Sequence, residues 1–424
     1  MDDMSRTQDA LQTPLSRRRL LQGSAVAGAA AFLAACGGGN ATPTPGGGAT
    51  PAPTGAATPT PGEVKIEGPL NFANWPAYID LTTDPGPDGE EGTDDDKYVL
   101  PSPTLDAFKA QYGIEVNYVE DIQTNEDFVA TITQALAAGL DTGWDLMVLT
   151  DYMAARLVRK GWLEEIDPAN VPTAAKNLRG ALRGIEWDPD QRFHYPWQSG
   201  ADGVGYNRVS TGRDLTSLED MFDPAFSGKV TFLSGYVDTF PMLQCLLRQK
   251  GKLTNTPDKM TVEDAQTIHD YLKPYVDSGH IRGFTGNEYL QDFGSGDTWV
   301  ALVYSGDLAS SGGPDDHFVY PSEGSIIWTD NMVIPKAAVH KRAAEAMIDW
   351  VYDVDRAAAL ADFIFYISPV AGVEEAIKKI DEEAATNPLL FPPPQVVEKQ
   401  YPMPALNDAD DLAVSELSSD LEGA

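Results

Sequence analysis

Short apolar runs alternate with segments in which apolar residues recur every three or four positions, from about residue 63 to the end of the chain. Short apolar runs predict buried strands, and a period near 3.6 residues predicts helices with one buried face. Regular alternation of the two predicts an α/β fold with parallel sheets. Strands are predicted at 69–75, 114–118, 145–149, 230–233, 300–304 and 326–328.

Capping residues mark where the helices begin and end. Ser102-Pro103 predicts an N-cap with proline at the first helical position, and Gly113 ends that helix. Thr124 predicts the cap of a second helix, which Gly139 ends. Because the stretch from 63 to 424 is longer than one core usually organises, two domains are expected. The other long helices are predicted at 262–277 and 341–352.

Residues 1–62 are interpreted as an address and a tether outside the fold. Residues 16–21 fit a twin-arginine export signal, and the apolar stretch after them is shorter than a membrane span. It ends in Leu-Ala-Ala-Cys, a lipobox, so residues 1–36 are expected to be a signal and Cys36 to be lipidated. An uncleaved anchor helix is the alternative. Residues 37–62 contain almost only Gly, Ala, Pro and Thr, which predicts a disordered tether.

Charge and cysteine content narrow the function further. The chain has 64 Asp and Glu against 30 Lys and Arg, a net charge of −34. Nucleic-acid binding is therefore not expected, because phosphate contacts need a basic surface. An acidic field attracts cations, although solubility outside the cell explains the same charge. With Cys36 assigned to the anchor, Cys245 stands alone, and no disulfide is expected in the mature body.

No motif for catalysis is present. The 5 His form no H-E-x-x-H pattern, and the sequence has neither a G-x-S-x-G elbow nor a Walker loop. The glycine-rich run 200–205 leads into a strand-like segment, so it is interpreted as a crossing between lobes where the backbones approach closely. We therefore assign no catalytic residue and do not expect an enzyme.

Aromatic residues stand beside acidic ones where three predicted strands end. In open α/β sheets, ligands bind beyond the carboxyl ends of strands. A ring face attracts an organic ammonium ion by roughly 0.5–2 kcal/mol, and a nearby carboxylate adds an ion pair. For any one of these rings, packing in the core is the alternative interpretation. The three segments are 74–78, 304–307 and 328–330.

In their order along the chain, these segments resemble the periplasmic spermidine/putrescine-binding proteins of ABC importers. The resemblance extends from residue 69 onward. The matching patterns are N-W-x-x-Y at 74–78, an apolar strand ending in T-D-Y at 145–152, a crossing at 195–207, Y-S-G-D at 304–307, E-G through W-T-D to I-P at 323–335, and Y-x-x-P at 366–369.

The resemblance implies a two-lobed α/β periplasmic-binding-protein fold of type II, with the ligand cleft between the lobes. Lobe 1 is expected to contain 63–202 plus 329–372, and lobe 2 to contain 203–328 plus 373–424. The protein is expected to be a monomer outside the cytoplasm, either held by the lipid at Cys36 on the outer face of the cell membrane or located in the periplasm. It would capture putrescine or spermidine and deliver it to an ABC permease, without a cofactor. Binding of a sugar or an organic anion by the same fold, or an exported hydrolase or lyase, are the alternatives.

By position, the resemblance also implies ten ligand-contacting residues. They comprise five aromatic residues around the methylene groups, two hydroxyl residues and three carboxylates. Gly235 stands where spermidine-binding members have Asp, which leads to the expectation that putrescine binds more tightly than spermidine. The ten residues are Trp75, Tyr78, Thr150, Tyr152, Asp238, Tyr304, Asp307, Trp328, Asp330 and Tyr366.

An acidic insertion before the first helix does not belong to the family pattern. It places Asp84, Asp88 and Asp95 at positions 1, 5 and 12 of a calcium-loop spacing, with glycine at position 6. Position 3 is Gly86 instead of an acid. A calcium site is therefore one interpretation, and a solvated acidic loop is the other.

Overall fold

A computed structural model describes residues 66–84, 97–99 and 102–423 of the chain. The predicted signal, the lipidation site Cys36 and the tether lie outside the described residues. Asp88 and Asp95 of the predicted calcium loop also lie outside them, and only the backbone of Asp84 is described. The signal, the lipid anchor, the tether and the calcium site therefore stay predictions.

Ten strands form one mixed sheet, and two more form a separate hairpin. The sheet order is β4-β1-β5-β11-β6-β9-β7-β8, with β10 paired to β6 and β12 paired to β11. β2 and β3 form the hairpin. The strands in the described part of the chain are β1 Leu70–Ala73, β2 Thr82–Asp84, β3 Lys97–Val99, β4 Val116–Val119, β5 Leu146–Thr150, β6 His194–Asn207, β7 Val230–Leu233, β8 Ile281–Thr285, β9 Val300–Tyr304, β10 Asp316–Val319, β11 Ser325–Val333 and β12 Gln400–Pro402.

Two long strands join the two ends of this sheet. β6 has 14 residues, and its first half pairs with β11 while its second half pairs with β9 and β10. Parallel strands lie on both sides of this central pair: β1 with β4 and β5, and β7 with β8 and β9. The glycine-rich run 200–205 falls in the middle of β6. The crossing is therefore a continuous strand, and the strand predicted at 326–328 is the beginning of the longer β11.

Helices cover both faces of the sheet, as the alternating apolar pattern predicts. Those in the described residues are α1 Pro103–Tyr112, α2 Asn125–Ala138, α3 Asp151–Lys160, α4 Pro172–Asn177, α5 Arg208–Thr211, α6 Tyr236–Gln249, α7 Val262–Asp277, α8 Tyr289–Ser295, α9 Ser305–Ser311, α10 Lys341–Val351, α11 Val354–Ile364, α12 Val373–Ile377, α13 Pro394–Val397 and α14 Asp408–Glu422. None of the helices in the ranges described is long and apolar enough to cross a membrane.

The caps predicted from sequence are present. The Ser102 side chain accepts a hydrogen bond from the Leu105 N–H, and Gly113 ends α1 with a φ of 69°. Thr124 caps α2 in the same way, and Gly139 ends that helix with a φ of 63°. Only glycine adopts this left-handed backbone without strain, so the sequence fixes both helix ends. The predictions for β7, β9 and α7 are confirmed to the residue.

Two clusters of buried apolar residues form the core. One contains residues of β1, β5, α10 and α11, and the other contains residues of β7, β9, α6 and α7. Val373, Ile377 and Leu390 belong to the first cluster. The lobe boundaries stay a prediction, and this packing favours moving the segment 373–390 from the second lobe to the first.

Candidate ligand-binding site

The predicted site residues near the ends of β5 and β9 and in β11 lie together at one place on the sheet. Asp330 in β11 pairs in register with Thr150 at the end of β5. Trp328, two residues before Asp330, lies on the same face, because side chains alternate along a strand. Tyr304 ends β9, and Asp307 lies in the first turn of α9.

The first carboxyl group, Asp330, is buried and held by a hydroxyl group. The Thr150 hydroxyl donates to Asp330 Oδ1 at 2.7 Å, and the Asn125 amide donates to Thr150 Oγ1 at 2.9 Å. Burial raises the pKa of Asp330 to about 6, although the hydrogen bond from Thr150 opposes the rise. The carboxyl group is therefore poised to ionise fully when a cation arrives.

The second carboxyl group, Asp307, accepts hydrogen bonds from three side chains. The Tyr289 hydroxyl donates to Oδ2 at 2.6 Å, the Asn287 amide donates to the same oxygen, and the Tyr366 hydroxyl donates to Oδ1 at 2.9 Å. Burial raises the pKa of Asp307, and the three donors oppose the rise. Sequence reasoning missed Tyr289, which the structure buries fully behind the site.

The third position is a pair of carboxyl groups, Asp238 and Asp202. The Tyr304 hydroxyl donates to Asp238 Oδ2 at 3.1 Å, and the Trp328 indole N–H donates to Asp202 Oδ1 at 3.1 Å. Burial raises the pKa of Asp238 to about 7. Burial and the neighbouring Asp238 raise the pKa of Asp202 well above its usual value.

Asp202 was not predicted as a site residue. It lies within the glycine-rich run, which we interpreted only as a crossing. The aspartate itself was the feature of the sequence that could have indicated this role. Burying a carboxyl group in the middle of a strand costs free energy, so such a group normally has a specific partner. Its position opposite Tyr304 in the β6–β9 register brings it to the predicted site.

Four aromatic rings lie side by side between these carboxyl groups. The ring centroids of Tyr78 and Tyr366 are 5.4 Å apart, those of Tyr366 and Trp328 are 5.3 Å apart, and those of Trp328 and Tyr304 are 5.8 Å apart. A glycine lies directly beneath one ring: a Cβ at Gly200 would come within 2.2 Å of the Trp328 ring. The rings can therefore lie close to the backbone and form a wall.

The polar atoms of Trp75 and Tyr152 form hydrogen bonds with residues outside the three carboxyl positions. The Trp75 indole N–H donates to the Val148 carbonyl at 3.0 Å. The Tyr152 hydroxyl donates to Glu126 at 3.1 Å and accepts from Asn125. Tyr152 thus reaches Thr150 only through Asn125, and contact of either residue with a ligand stays a prediction.

Basic side chains do not pair with three of the buried acids in the part of the chain that the structure describes. Within residues 66–84, 97–99 and 102–423, no Lys or Arg forms an ion pair with Asp202, Asp238 or Asp330. The 23 ion pairs found there lie elsewhere, for example Arg156 with Asp411 at 2.5 Å. In the same ranges, no group of three or more His, Cys, Asp or Glu side chains is arranged to hold a metal ion.

Comparisons with known proteins agree with the fold. The family described as bacterial extracellular solute-binding protein matches the chain over residues 104–392. The chain is similar to spermidine/putrescine-binding periplasmic protein 1 of Haemophilus influenzae, with 26% identity over 73% of this chain and 82% of that protein. It is also similar to a putrescine/cadaverine-binding protein of Pseudomonas aeruginosa, with 27% identity over 75% of this chain and 89% of that protein.

Among solved structures, the Tp0655 (TpPotD) lipoprotein of Treponema pallidum is similar, with a TM-score of 0.67 and 18% identity over 84% of this chain and 99% of that chain. At this level of identity the likeness concerns the fold, and the predicted periplasmic-binding-protein fold is confirmed. Taken with the family match over most of the described residues, these findings identify the chain as a member of the bacterial extracellular solute-binding protein family.

Proposed function

We propose that this chain captures a polyamine outside the cytoplasm and delivers it to an ABC importer. The ligand would lie against the four-ring wall formed by Tyr78, Tyr366, Trp328 and Tyr304, with its ammonium groups at the buried carboxyl groups. The names of the Haemophilus and Pseudomonas relatives support this ligand class.

One observation carries the proposal: Asp238 and Asp330 lie buried beside an aromatic wall and form no ion pair with a Lys or Arg among the described residues. Taking a carboxylate out of water is costly unless an opposite charge compensates. Asp330 is 6% exposed and Asp238 is 3% exposed, and both have raised pKa values because of burial. An organic dication or trication supplies the missing charge, while its methylene groups cover the rings. A sugar would leave the charges uncompensated, and an anion would add to them.

Capture requires the two sides of the cleft to move apart and close again by hinge rotation. The ion pair of Arg156 in α3 with Asp411 in α14 joins elements on opposite sides and supports a closed arrangement. A lipid at Cys36 would hold the protein near the permease, and the segment 37–62 would let the body move. The protein would act as a monomer, and calcium at the acidic insertion is a separate hypothesis that does not enter this account.

The proposal includes no chemical step. A hydrolase or lyase that used these acids would need an acid and a base with separated pKa values on either side of a substrate bond. Asp330 and Asp238 instead shift in the same direction for the same reason, burial. This pattern favours electrostatic binding of a cation over catalysis.

Native mass spectrometry of the body, residues 63–424, purified without denaturation tests the proposal. We expect a co-purified or added diamine or triamine at one molecule per chain, which is retained on gentle activation and lost with Asp330→Asn. The exposed Asp190→Asn is the matched control, because it removes the same charge away from the cleft. Retention of a sugar or an anion, with no amine adduct, would contradict the proposal.

A further inference from the structure

Two carboxyl oxygens of the Asp202–Asp238 pair receive no hydrogen bond within the part of the chain that the structure describes. Asp202 is 0% exposed and Asp238 is 3% exposed. Each uses one oxygen, for Trp328 and Tyr304 respectively. The remaining atoms, Asp202 Oδ2 and Asp238 Oδ1, are buried without a hydrogen-bond partner among the described residues. Buried polar atoms are nearly always paired, so such a pair of oxygens needs an explanation.

The two carboxyl groups come from different elements that converge on the aromatic wall. Asp202 lies in β6 opposite Tyr304 in the β9 register, and Asp238 lies in the first turn of α6. They are close enough for each to change the ionisation of the other. Their donors, the Trp328 indole and the Tyr304 hydroxyl, belong to rings that touch edge to face at 5.8 Å. The pair therefore borders the same wall as the proposed ligand.

Counting anionic positions distinguishes a diamine from a triamine. Asp307 and Asp330 are separate positions, each with its own set of donors. These two satisfy the two ends of a diamine and leave the Asp202–Asp238 pair without a cation. A triamine brings one more ammonium group, whose N–H groups can donate hydrogen bonds to Asp202 Oδ2 and Asp238 Oδ1.

We propose that Asp202 and Asp238 together bind the inner ammonium group of a triamine, so that the cleft holds triamines more tightly than diamines of equal length. This inference rests on the proposed polyamine function. The expectation from Gly235 took a carboxyl group for the inner ammonium to be missing, and Asp202 supplies one from β6.

The test needs two probes that differ only at the inner nitrogen. Spermidine and 1,8-diaminooctane have the same number of chain atoms between their terminal amines, but the second carries a methylene group in place of the inner ammonium. Calorimetry on the wild-type body should give a spermidine Kd lower by about tenfold, which is about 1.4 kcal/mol. Equal affinities would overturn the inference, since an inner ammonium that is bound must contribute.

A variant then assigns the difference to the pair. Asp202→Asn keeps an acceptor for the Trp328 indole and removes the charge. We expect it to abolish most of the tenfold advantage while the affinity for 1,8-diaminooctane stays nearly unchanged, and Asp190→Asn to alter neither. An equal loss of affinity for both ligands would mean that Asp202 and Asp238 only share a proton and support the aromatic wall. That result would overturn the inference. Should Asp202→Asn fail to fold in thermal unfolding, the wild-type comparison alone decides. Failure of the wild type to bind either amine would instead reject the polyamine function itself.

Discussion

The Tyr366 hydroxyl donates a hydrogen bond of 2.9 Å to Asp307 Oδ1, which connects the segment after α11 to the first turn of α9. The ring of Tyr366 at the same time contacts Tyr78 and Trp328. One residue thus orients a carboxyl group and forms part of the aromatic wall. A cation that reaches Asp307 meets a carboxyl group whose position is already fixed, which lowers the entropy lost on binding.

Replacement of Asp330 by Asn should weaken amine binding strongly. The substitution keeps the shape that Thr150 contacts and removes a desolvated charge partner. We expect a loss of roughly 2–5 kcal/mol of binding free energy, as measured by calorimetry. Asp190→Asn, on the exposed surface, serves as the control with an expected change near zero. An unchanged Kd for Asp330→Asn would show that the ammonium group binds elsewhere.

Amine affinity should rise with pH over the range in which Asp330 ionises. Its pKa in the ligand-free protein is about 6 because it is buried, and a bound ammonium group requires the carboxylate form. Affinity should therefore be low near pH 5, increase through pH 6 to 7 and level off above, since protonation competes with the ligand. Calorimetry at a series of pH values measures this, and Asp330→Asn should flatten the part of the curve near pH 6. An affinity that falls as pH rises would contradict the assignment.

Ionisation of buried carboxyl groups should make the ligand-free protein less stable as the pH rises from about 4 to 7. Burial raises the pKa of Asp330 to about 6 and that of Asp151 and Asp238 to about 7. In the unfolded chain these groups titrate near 3.9, so the folded state binds more protons in this window. Stability then falls with increasing pH. Thermal unfolding should show a higher midpoint near pH 5 than near pH 7 without ligand, and saturating amine should reduce that difference. If the unfolding midpoint without ligand instead rises steadily up to pH 7, burial does not raise the pKa values of these acids.

Replacement of Gly200 by Ala should weaken binding by displacing an aromatic ring. A Cβ at this position would come within 2.2 Å of the Trp328 ring, so the ring must move away from its place beside Tyr366. We expect a loss of about tenfold in amine affinity, or about 1.4 kcal/mol. Gly283→Ala is the matched control, since a Cβ there meets nothing within 4 Å. Equal affinity in the two variants would mean that the Trp328 ring does not contact the ligand.

Membrane attachment should depend on Cys36. The lipobox and the tether after it predict that the mature chain begins at a lipidated cysteine. Cys36→Ala should release the protein from the membrane fraction into the medium, as followed by fractionation and immunoblotting. Intact mass measurement of the wild type should reveal the added acyl mass. Retention of Cys36→Ala in the membrane would favour the uncleaved anchor helix.

Local signals in the sequence were enough to predict much of the fold. Capping residues such as Ser102 and Thr124 marked helix starts, because their side chains satisfy backbone N–H groups at one position only. The register of β6 with both β11 and β9 was not predictable in this way. A strand that joins two halves of a sheet depends on distant partners, and its glycine-rich centre shows no clear apolar alternation.

The site was predictable where an aromatic residue and an acid stand together in the sequence, as with Trp328 and Asp330. It was not predictable where the partners lie far apart along the chain. Asp202 reaches Asp238 through the convergence of β6 and α6, and Tyr289 reaches Asp307 from a preceding helix. Neither residue carries a local motif, so only the tertiary fold reveals its role.

Calorimetric titration of the mature body with spermidine, putrescine, a neutral sugar and a dicarboxylate at one salt concentration tests the central claim most directly. The account predicts saturable binding of the amines at one molecule per chain, with affinity that falls in Asp330→Asn, and no binding of the sugar or the dicarboxylate. Saturable binding of the sugar or the dicarboxylate, with no heat from either amine, would contradict it.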